Sequence, residues 1–312
     1  MAFKDSLQNI QMTKADIPTF VESERKELNV IFSTSKIFIQ HLTVAITSLL
    51  ENNKNLNIKI YIIHNMDDTC VLDMTIKFIK EKYNIDINLL KVENFDFSTY
   101  RTTTYFDTTT YYKLFITRII PENIDTVLYL DCDIVVNESI EQIANRDISN
   151  DYIHAVSELD VITNINRLNK LGYNLTRYFN AGVLLINLKK WRQHNVFAEL
   201  MIITDRYMQF CEWFDQDILN LYFSDNWKEM DKTFNGIYIT RPLPEVPIII
   251  HYNSFSKPWY YVDIHPYKYL YWKYLKLTPF RGNKPENFTF KNLIFKSGRL
   301  IKRKLRMAGI IK

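Results

Sequence analysis

The sequence predicts an α/β domain built on a mainly parallel sheet. Apolar runs rich in β-branched residues alternate with segments of helical periodicity, which is typical of βαβ units. The chain has 312 residues, 47% of them hydrophobic, and can form one large domain or two small ones. In the stretch at 125–137, an apolar strand stops on two carboxylates, Asp131 and Asp133. Open α/β sheets bind ligands at the carboxyl ends of their strands, so we expect the functional site there.

The first half of the chain shows the alternation most clearly. β-Branched and aromatic residues predict strands at 28–33, 58–64 and 86–92. Apolar residues at three- and four-residue steps predict helices at 37–51, 71–83 and 110–120. A Thr- and Tyr-rich loop is expected at 95–110.

The second half continues in the same way. It adds predicted strands at 127–130, 134–136, 152–157, 181–187 and 247–251. Helices are predicted at 191–209 and 214–223, with a loop or short helices at 160–178. The second of these helices has Asp215 in the position of an N-cap.

The cysteine content indicates a reducing compartment. Cys70, Cys132 and Cys211 are scattered and odd in number, and no C-x-x-C occurs, which argues against a disulfide framework or a thiolate zinc site. Cys132 is interpreted as a core residue. The N-terminus has no signal-peptide pattern and no apolar run is long enough for a bilayer, so we expect a cytoplasmic protein.

Charge is concentrated at the C-terminus. The chain has a net charge of +4, and residues 291–312 hold eight basic residues and no acid, so the remainder is mildly acidic. That distribution does not favour a nucleic-acid-binding domain. Helical spacing would place Leu293, Ile301 and Leu305 broadly on one side. The segment therefore fits either an anionic membrane surface or a solvated helix or disordered tail.

Asp131 and Asp133 are the strongest candidates for a metal site. In extended chain, side chains two residues apart point to the same face, so both carboxylates can face one cation. A hard divalent ion with oxygen ligands would balance them and keep open positions for phosphates. The alternative is a pair of turn aspartates that cap the next segment. Apolar runs on both sides favour the metal site.

A histidine and a lysine extend this hypothesis. His251 closes the apolar run at 247–251, where a histidine is more often a core residue than a ligand. Combined with the two aspartates it forms an Asp/Asp/His set suited to Mn²⁺ or Mg²⁺. Lys257 lies close in sequence and can serve as a point charge for phosphate.

Four blocks of sequence together resemble glycosyltransferase family 8, the retaining family that includes bacterial lipopolysaccharide galactosyl- and glucosyltransferases and glycogenin. The blocks, in chain order, are DTVLYLDCDIVV (125–136), YFNAGVLLINLKKW (178–191), DQDILN (215–220) and HYNSFSKPW (251–259). The resemblance covers about 28–272. It implies a single GT-A (Rossmann-like) nucleotide-diphosphosugar transferase domain with a mixed, mainly parallel sheet.

The resemblance assigns the metal and the diphosphate to matching positions. Asp131 and Asp133 match the D-x-D that holds Mn²⁺ on the donor diphosphate, and His251 matches the histidine that completes the protein's ligands. Ser254 and Lys257 match positions that line the diphosphate.

The sugar side is assigned in the same way. Asn180 and Asp215 match residues that hydrogen-bond the donor sugar, and Gln216 matches the glutamine beside the anomeric carbon. Lys113 takes the place of a basic residue by the donor that is often arginine in relatives, and Glu158 stands near an acidic position on the sugar side. A double displacement would require a carboxylate close to the anomeric carbon, and Asp215 is the nearest candidate in the sequence.

The first strand departs from the family pattern. Relatives commonly carry an Ala-x-Asp whose aspartate reads uracil, and Ser35 stands where that aspartate is expected. Serine can still hydrogen-bond a base, with a weaker preference for uracil. The rest of the resemblance still implies UDP as the nucleotide of the donor.

The implied function is retaining, metal-dependent transfer of glucose or galactose from a UDP-hexose to a sugar hydroxyl of a bacterial glycan, such as lipopolysaccharide core. Lipid-linked acceptors in the bacterial relatives imply a peripheral position at the inner membrane face. The implied organisation is an N-terminal extension at 1–27, a catalytic domain at 28–280 and a basic tail at 281–312.

Two rival functions follow from the residues. A metal-dependent nucleotidyl- or phosphoryltransferase would need a phosphate-cradling loop, and no Gly-rich motif of that type occurs in a chain with six glycines. A non-catalytic nucleotide-sugar-binding protein would not need the metal ligands together with Gln216.

Overall fold

The computed structural model describes residues 26–93, 100, 108–253 and 257–307. Its strands are β1 (Glu27–Ser33), β2 (Asn57–His64), β3 (Ile87–Lys91), β4 (Thr126–Leu130), β5 (Ile134–Val136), β6 (Ile153–Ser157), β7 (Phe179–Asn187), β8 (Lys228–Glu229) and β9 (Ile249–His251). The predicted loop at 95–110 lies largely outside the described residues, as do residues 1–25 of the predicted extension.

Helices connect and cover these strands. They are α1 (Ile39–Asn52), α2 (Cys70–Tyr83), α3 (Ile116–Ile119), α4 (Glu141–Ala144), α5 (Val161–Asn169), α6 (Leu188–Gln193), α7 (Val196–Tyr207), α8 (Phe214–Phe223), α9 (Lys268–Leu275) and α10 (Phe290–Met307). Short 3₁₀ helices cover Lys36–Phe38, Thr108–Phe115, Met208–Phe210 and Lys232–Phe234.

Seven strands form the main sheet in the order β3-β2-β1-β4-β7-β6-β8. Strands β3, β2, β1 and β4 run parallel, β7 is antiparallel to both β4 and β6, and β8 is parallel to β6. The predicted mixed, mainly parallel sheet is therefore confirmed. Strand β4, which leads to the two aspartates, lies in the middle of the sheet.

Both faces of the sheet are buried. On β4, Val127 and Tyr129 belong to the hydrophobic cluster that also contains residues of α6, α7 and α8. Leu128 and Leu130 belong to the cluster on the other face, with residues of α1 and α2. An apolar residue at every position is what a strand covered on both faces requires. The carboxylate of Asp131 thus follows a strand that is fixed on both sides.

A second, two-stranded sheet completes the site. Strand β5 pairs antiparallel with β9, and Ile134 lies directly opposite His251. The backbone N–H of Tyr252 donates to the carbonyl of Asp133 at 2.9 Å. This pairing brings the residue before β5 next to the last residue of β9, although they are far apart in sequence.

Two predicted helices differ from the structure. The segment predicted as a helix at 110–120 is mostly 3₁₀, and only Ile116–Ile119 is α-helical. Threonines and aromatic residues lose side-chain freedom in an α-helix, which disfavours a regular helix here. The helix predicted at 191–209 is divided, because Asn195 adopts φ 49° between α6 and α7. Asparagine tolerates this left-handed conformation better than most residues.

Candidate functional site

The two aspartates lie in a turn between β4 and β5 rather than in extended chain. The prediction that strand alternation places the two carboxylates on one face is therefore wrong, because the residues are not in a strand. Asp131 is fixed by its backbone N–H, which donates to the carbonyl of Gly182 at 2.9 Å. The turn directs both carboxylates toward β7 and β9. The two groups therefore lie together as predicted, although a turn and not a strand brings them there.

Asp131, Asp133 and His251 converge on one point. The Nε2 of His251 lies 3.3 Å from Oδ1 of Asp133 and 3.8 Å from Oδ2 of Asp131. One ligand atom from each residue lies within 4.8 Å of the others. Two carboxylates and an imidazole, partly open on one side, are a suitable donor set for Mn²⁺ or Mg²⁺. The three residues therefore fit the implied metal.

Gly182 of β7 makes room for this cluster. A Cβ at this position would lie 2.2 Å from Cε1 of His251 and 2.9 Å from Oδ2 of Asp131. No real side chain could be accommodated without moving the histidine. The glycine is therefore required by the close approach of β7 to the site rather than by backbone conformation.

Lys257 balances the charge of Asp133. Its Nζ donates to Oδ2 of Asp133 and, at 2.9 Å, to the carbonyl of Tyr252. Burial alone would raise the pKa of Asp133, but Lys257 and His251 outweigh it and hold the pKa well below its ordinary value. Asp133 is thus ionised at any physiological pH.

Lys113 is a buried cation between two carboxylates. Its Nζ lies 2.9 Å from Oδ2 of Asp215 and 3.3 Å from Oδ1 of Asp131, and it donates to the carbonyl of Ala181 at 3.1 Å. Burial alone would lower the pKa of Lys113, but the two carboxylates outweigh it and hold the pKa well above its ordinary value. Burial raises the pKa of Asp215 to about 6, although Lys113 opposes that shift.

Gln216 is held at both ends of its amide. Its Oε1 accepts from the backbone N–H of Ala181 at 2.9 Å, and its Nε2 donates to the hydroxyl of Tyr178 at 3.1 Å. That hydroxyl in turn donates to Oδ1 of Asp217 at 2.6 Å. The side chain lines the cleft in a fixed orientation, as a residue beside a reacting carbon would require.

Asp215 does not cap helix α8, so that prediction is wrong. The N-cap residue is Trp213, and its backbone N–H and that of Glu212 donate to Oδ2 of Asp217 at 2.9 and 2.8 Å. Asp215 instead turns into the interior toward Lys113. An ion pair with a distant lysine cannot be read from the helical spacing that suggested a cap.

Asn180 and Glu158 lie together in the cleft, where the sequence predicts the sugar side. The Nδ2 of Asn180 donates to Oε2 of Glu158 at 2.9 Å, and the Oδ1 of Asn180 accepts from the N–H of Gly182 at 3.0 Å. Both side chains are buried and line the same cleft as Gln216. The second hydrogen of the Asn180 amide has no hydrogen-bond partner among the described residues.

The end of β1 borders the cleft. Ser33 and Phe38 line the cleft, and Ser35 stands between them in the chain, with a buried hydroxyl that has no hydrogen-bond partner among the described residues. Ser254 lies outside the described residues. The structure thus brings every other predicted site residue together around one cleft, whereas Ser35 is not among the residues that line it.

Sequence reasoning missed several residues of the site. Asn235 binds both His251 and Asn180 through its side chain, and Tyr178 binds Gln216. Tyr238 and Trp213 also line the cleft. Tyr178 and Trp213 lie next to predicted site residues in the sequence, but their contacts with the site appear only in three dimensions. Asn235 and Tyr238 lie outside the blocks that carried the resemblance.

An α/β fold with this sheet, together with a D-x-D turn and a histidine beside a cleft, is typical of glycosyltransferases. The family model "Glycosyl transferase family 8" matches residues 29–263. The chain belongs to glycosyltransferase family 8.

Several similar proteins are named as glycosyltransferases. A putative glycosyltransferase of Haemophilus influenzae is 30% identical over 247 residues, covering 75% of this chain and 73% of the relative. A lipopolysaccharide 1,2-glucosyltransferase of Escherichia coli K12 is 23% identical, covering 83% of this chain and 81% of the relative. The chain spans 61% of the longer Streptococcus pneumoniae glycosyltransferase GlyF, to which it is 29% identical.

Solved structures share the fold. The galactosyltransferase LgtC, in complex with donor and acceptor sugar analogs, superimposes with a TM-score of 0.70 at 23% identity, over 83% of this chain and 98% of that one. The glycosyltransferase GlyE of Streptococcus pneumoniae superimposes with a TM-score of 0.62 at 25% identity, over 80% of this chain and 60% of that one. The GT-A fold expected from the sequence is therefore confirmed.

Proposed function

We propose that this chain transfers a hexose from a UDP-hexose to a sugar hydroxyl of a bacterial surface glycan, with retention of anomeric configuration. The observation that carries the proposal is the convergence of Asp131, Asp133 and His251 on one side of a cleft whose other side holds Asp215 and Gln216. Glucose and galactose are the candidate sugars, because relatives named as glucosyl- and galactosyltransferases share this family or fold.

The metal side of the cleft would hold the diphosphate. A Mn²⁺ or Mg²⁺ ion bound by the three ligands would supply positive charge against the leaving diphosphate. Lys257 stands beside Asp133 and offers a further charge toward phosphate oxygens. We assign Ser254 to the same phosphate contact, and the hydroxyl of Ser35 to the nucleobase.

The sugar side would orient the hexose. Asn180 and Asp215 offer hydrogen-bonding groups to its hydroxyls, while Gln216 faces the anomeric carbon. Both ends of the Gln216 amide already have protein partners, and a neutral amide is a poor nucleophile. Asp215 faces Lys113, which lowers its nucleophilicity. We therefore favour a front-face route in which the leaving phosphate takes the acceptor proton.

A screen of nucleotide sugars tests this proposal. The full chain would be incubated with Mn²⁺ and UDP-glucose, UDP-galactose or their GDP and ADP counterparts, and nucleotide release would be measured. We expect slow, Mn²⁺-dependent release of UDP from one UDP-hexose. Release of pyrophosphate or phosphate would indicate a nucleotidyl- or phosphoryltransferase. Tight binding without turnover, with or without added sugar acceptors, would indicate a binding protein.

We further propose that the tail places the enzyme at an anionic membrane surface that carries a lipid-linked acceptor. Helix α10 exposes Phe290, Ile294 and Ile301, while its Lys296 and Arg299 contact the Tyr261–Val262 region of the body. The apolar side is therefore turned away from the protein, with basic residues beside it. None of the described helices is both long and apolar enough to cross a bilayer. Attachment would be peripheral, at the cytoplasmic face.

A further inference from the structure

A buried chain of hydrogen bonds joins the sugar side of the cleft to the histidine of the metal site. It runs from Oε2 of Glu158 to Nδ2 of Asn180 at 2.9 Å, and from Oδ1 of Asn180 to Nδ2 of Asn235 at 2.8 Å. It ends between Oδ1 of Asn235 and Nδ1 of His251 at 2.9 Å. All four residues are at least nine-tenths buried, so water does not compete for these bonds.

The chain has one consistent direction. The Oδ1 of Asn180 also accepts from the backbone N–H of Gly182 at 3.0 Å, which fixes its amide independently of its neighbours. Asn235 must then donate through Nδ2, and its Oδ1 is left to accept from His251. A flipped Asn235 would set two acceptors against each other at Asn180, so the network assigns the orientation.

This direction determines which nitrogen of His251 can bind a metal. Nδ1 carries a proton that it donates to Asn235, so Nε2 is the nitrogen that can offer a lone pair to a metal. Nε2 is the nitrogen that faces Asp133 at 3.3 Å and Asp131 at 3.8 Å. A ring nitrogen that binds a metal must present its lone pair, and the hydrogen bond at the other nitrogen sets the ring angle.

We propose that Asn235 is a positioning residue, which holds His251 in the Nε2 ligand form and mechanically links it to the sugar contacts at Asn180 and Glu158. The proposal rests on the metal-dependent function proposed above. It predicts that Asn235 acts on metal affinity without touching the ion itself. Groups that orient a metal-binding histidine typically change affinity by about 10- to 100-fold when removed.

A purely structural role is the alternative. Asn235 follows the 3₁₀ helix Lys232–Phe234, and any buried asparagine supports its surroundings. Asn53 is a matched control, because it is 2% exposed against 1% for Asn235 and its amide also makes two hydrogen bonds. Those bonds, to Leu49 and Ile140, are on α1 and before α4, away from the cleft.

The test measures Mn²⁺ affinity directly. Bound Mn²⁺ would be counted from the loss of the free-ion electron paramagnetic resonance signal, with UDP present, in full-length wild type, Asn235→Ala, Asn235→Asp and Asn53→Ala. Thermal melts of the same samples report folding. The carboxylate of Asn235→Asp can still accept from Nδ1 of His251 but cannot donate to Asn180, whereas the alanine can do neither.

We expect Asn235→Ala to bind Mn²⁺ about tenfold or more weakly than wild type, and Asn235→Asp to stay within about threefold. Asn53→Ala should melt earlier and bind Mn²⁺ normally. Mn²⁺ affinity within about twofold of wild type for Asn235→Ala, or equal weakening by all three changes, would overturn the proposal.

Misfolding of the alanine variant and loss of Mn²⁺ binding by the wild type have different meanings. Should Asn235→Ala fail to fold, Asn235→Ser takes its place with the same expectation, because a serine hydroxyl is too short to reach the histidine. Failure of the wild type itself to bind Mn²⁺ would contradict the proposed metal-dependent function instead, so the two failures are distinguishable.

Discussion

The Nζ of Lys113 lies 2.9 Å from the Oδ2 of Asp215 in the interior of the protein. The same ammonium group contacts Asp131 at 3.3 Å, so one cation ties the turn after β4 to the first turn of α8. Lysine is a compact point charge rather than the planar fork of an arginine. It can pair with both carboxylates, although they lie far apart in the sequence.

The free energy of unfolding should depend on pH through Asp215. Its folded pKa of about 6 lies above the ordinary value of 3.8. Between those values the folded chain holds a proton that the unfolded chain has released. The stability contributed by this proton is therefore largest below the unfolded pKa and is lost as pH rises through about 6.

Urea unfolding of wild type and Asp215→Asn at about pH 5 and about pH 7.5 checks this dependence. Relative to the variant, wild type should lose ~1 kcal/mol between the lower and the higher pH. A constant difference between the two proteins would mean that Asp215 titrates normally in the fold. Asp86, an exposed carboxylate paired with Lys80, provides the control as Asp86→Asn.

Gly182→Ala should remove the metal site without altering the rest of the fold. The new Cβ would lie 2.2 Å from Cε1 of His251, so the ring must move away from Asp131 and Asp133. We expect Mn²⁺ affinity to fall by about tenfold or more. Gly282→Ala is the matched control, because a Cβ there meets no atom within 4 Å. Mn²⁺ titrations of both variants decide it, and equal affinity would show that the site adapts.

Gln216→Ala should lower turnover more than donor binding. The amide is fixed by Ala181 and Tyr178, so its loss changes the surroundings of the anomeric carbon while the diphosphate contacts remain. We expect kcat to fall by about 10²-fold or more and KM for the donor to change by less than about threefold. A lowered melting temperature with unchanged activity per folded molecule would remove Gln216 from the reaction.

Deleting residues 291–312 should leave donor hydrolysis intact and release the enzyme from anionic vesicles. Each basic residue near such a surface adds about 1 kcal/mol of attraction at moderate salt. Sedimentation with phosphatidylglycerol vesicles at low and high salt measures the effect. A double variant, Ile294→Ser with Ile301→Ser, keeps every charge and tests the apolar side separately. Equal pelleting of truncated and full-length chains would rule out the tail as anchor.

Much of the fold follows from local pattern. Strand β4 is apolar at Val127, Leu128, Tyr129 and Leu130 because helices cover both sides of the sheet, and that run identifies a central strand without further information. The candidate metal ligands were predicted from strand ends, because Asp131 and Asp133 follow β4 and His251 closes β9.

Other features depend on contacts that no local pattern encodes. Asp215 resembled a helix cap because its neighbours in sequence allow one, yet its partner Lys113 is about a hundred residues away. The D-x-D resembled extended chain and is a turn, because β5 leaves the main sheet to pair with β9. Asn235 follows a short 3₁₀ helix without periodicity, so its link to His251 appears only in three dimensions.

The most direct test of metal-dependent retaining transfer is time-resolved proton NMR of UDP-hexose hydrolysis, with Mn²⁺ and with EDTA, in wild type and Asp133→Asn. We predict that wild type releases the α-hexose first, that EDTA abolishes release, and that Asp133→Asn is inactive while still folded. Equal release in EDTA, or initial release of the β-hexose, would contradict the account.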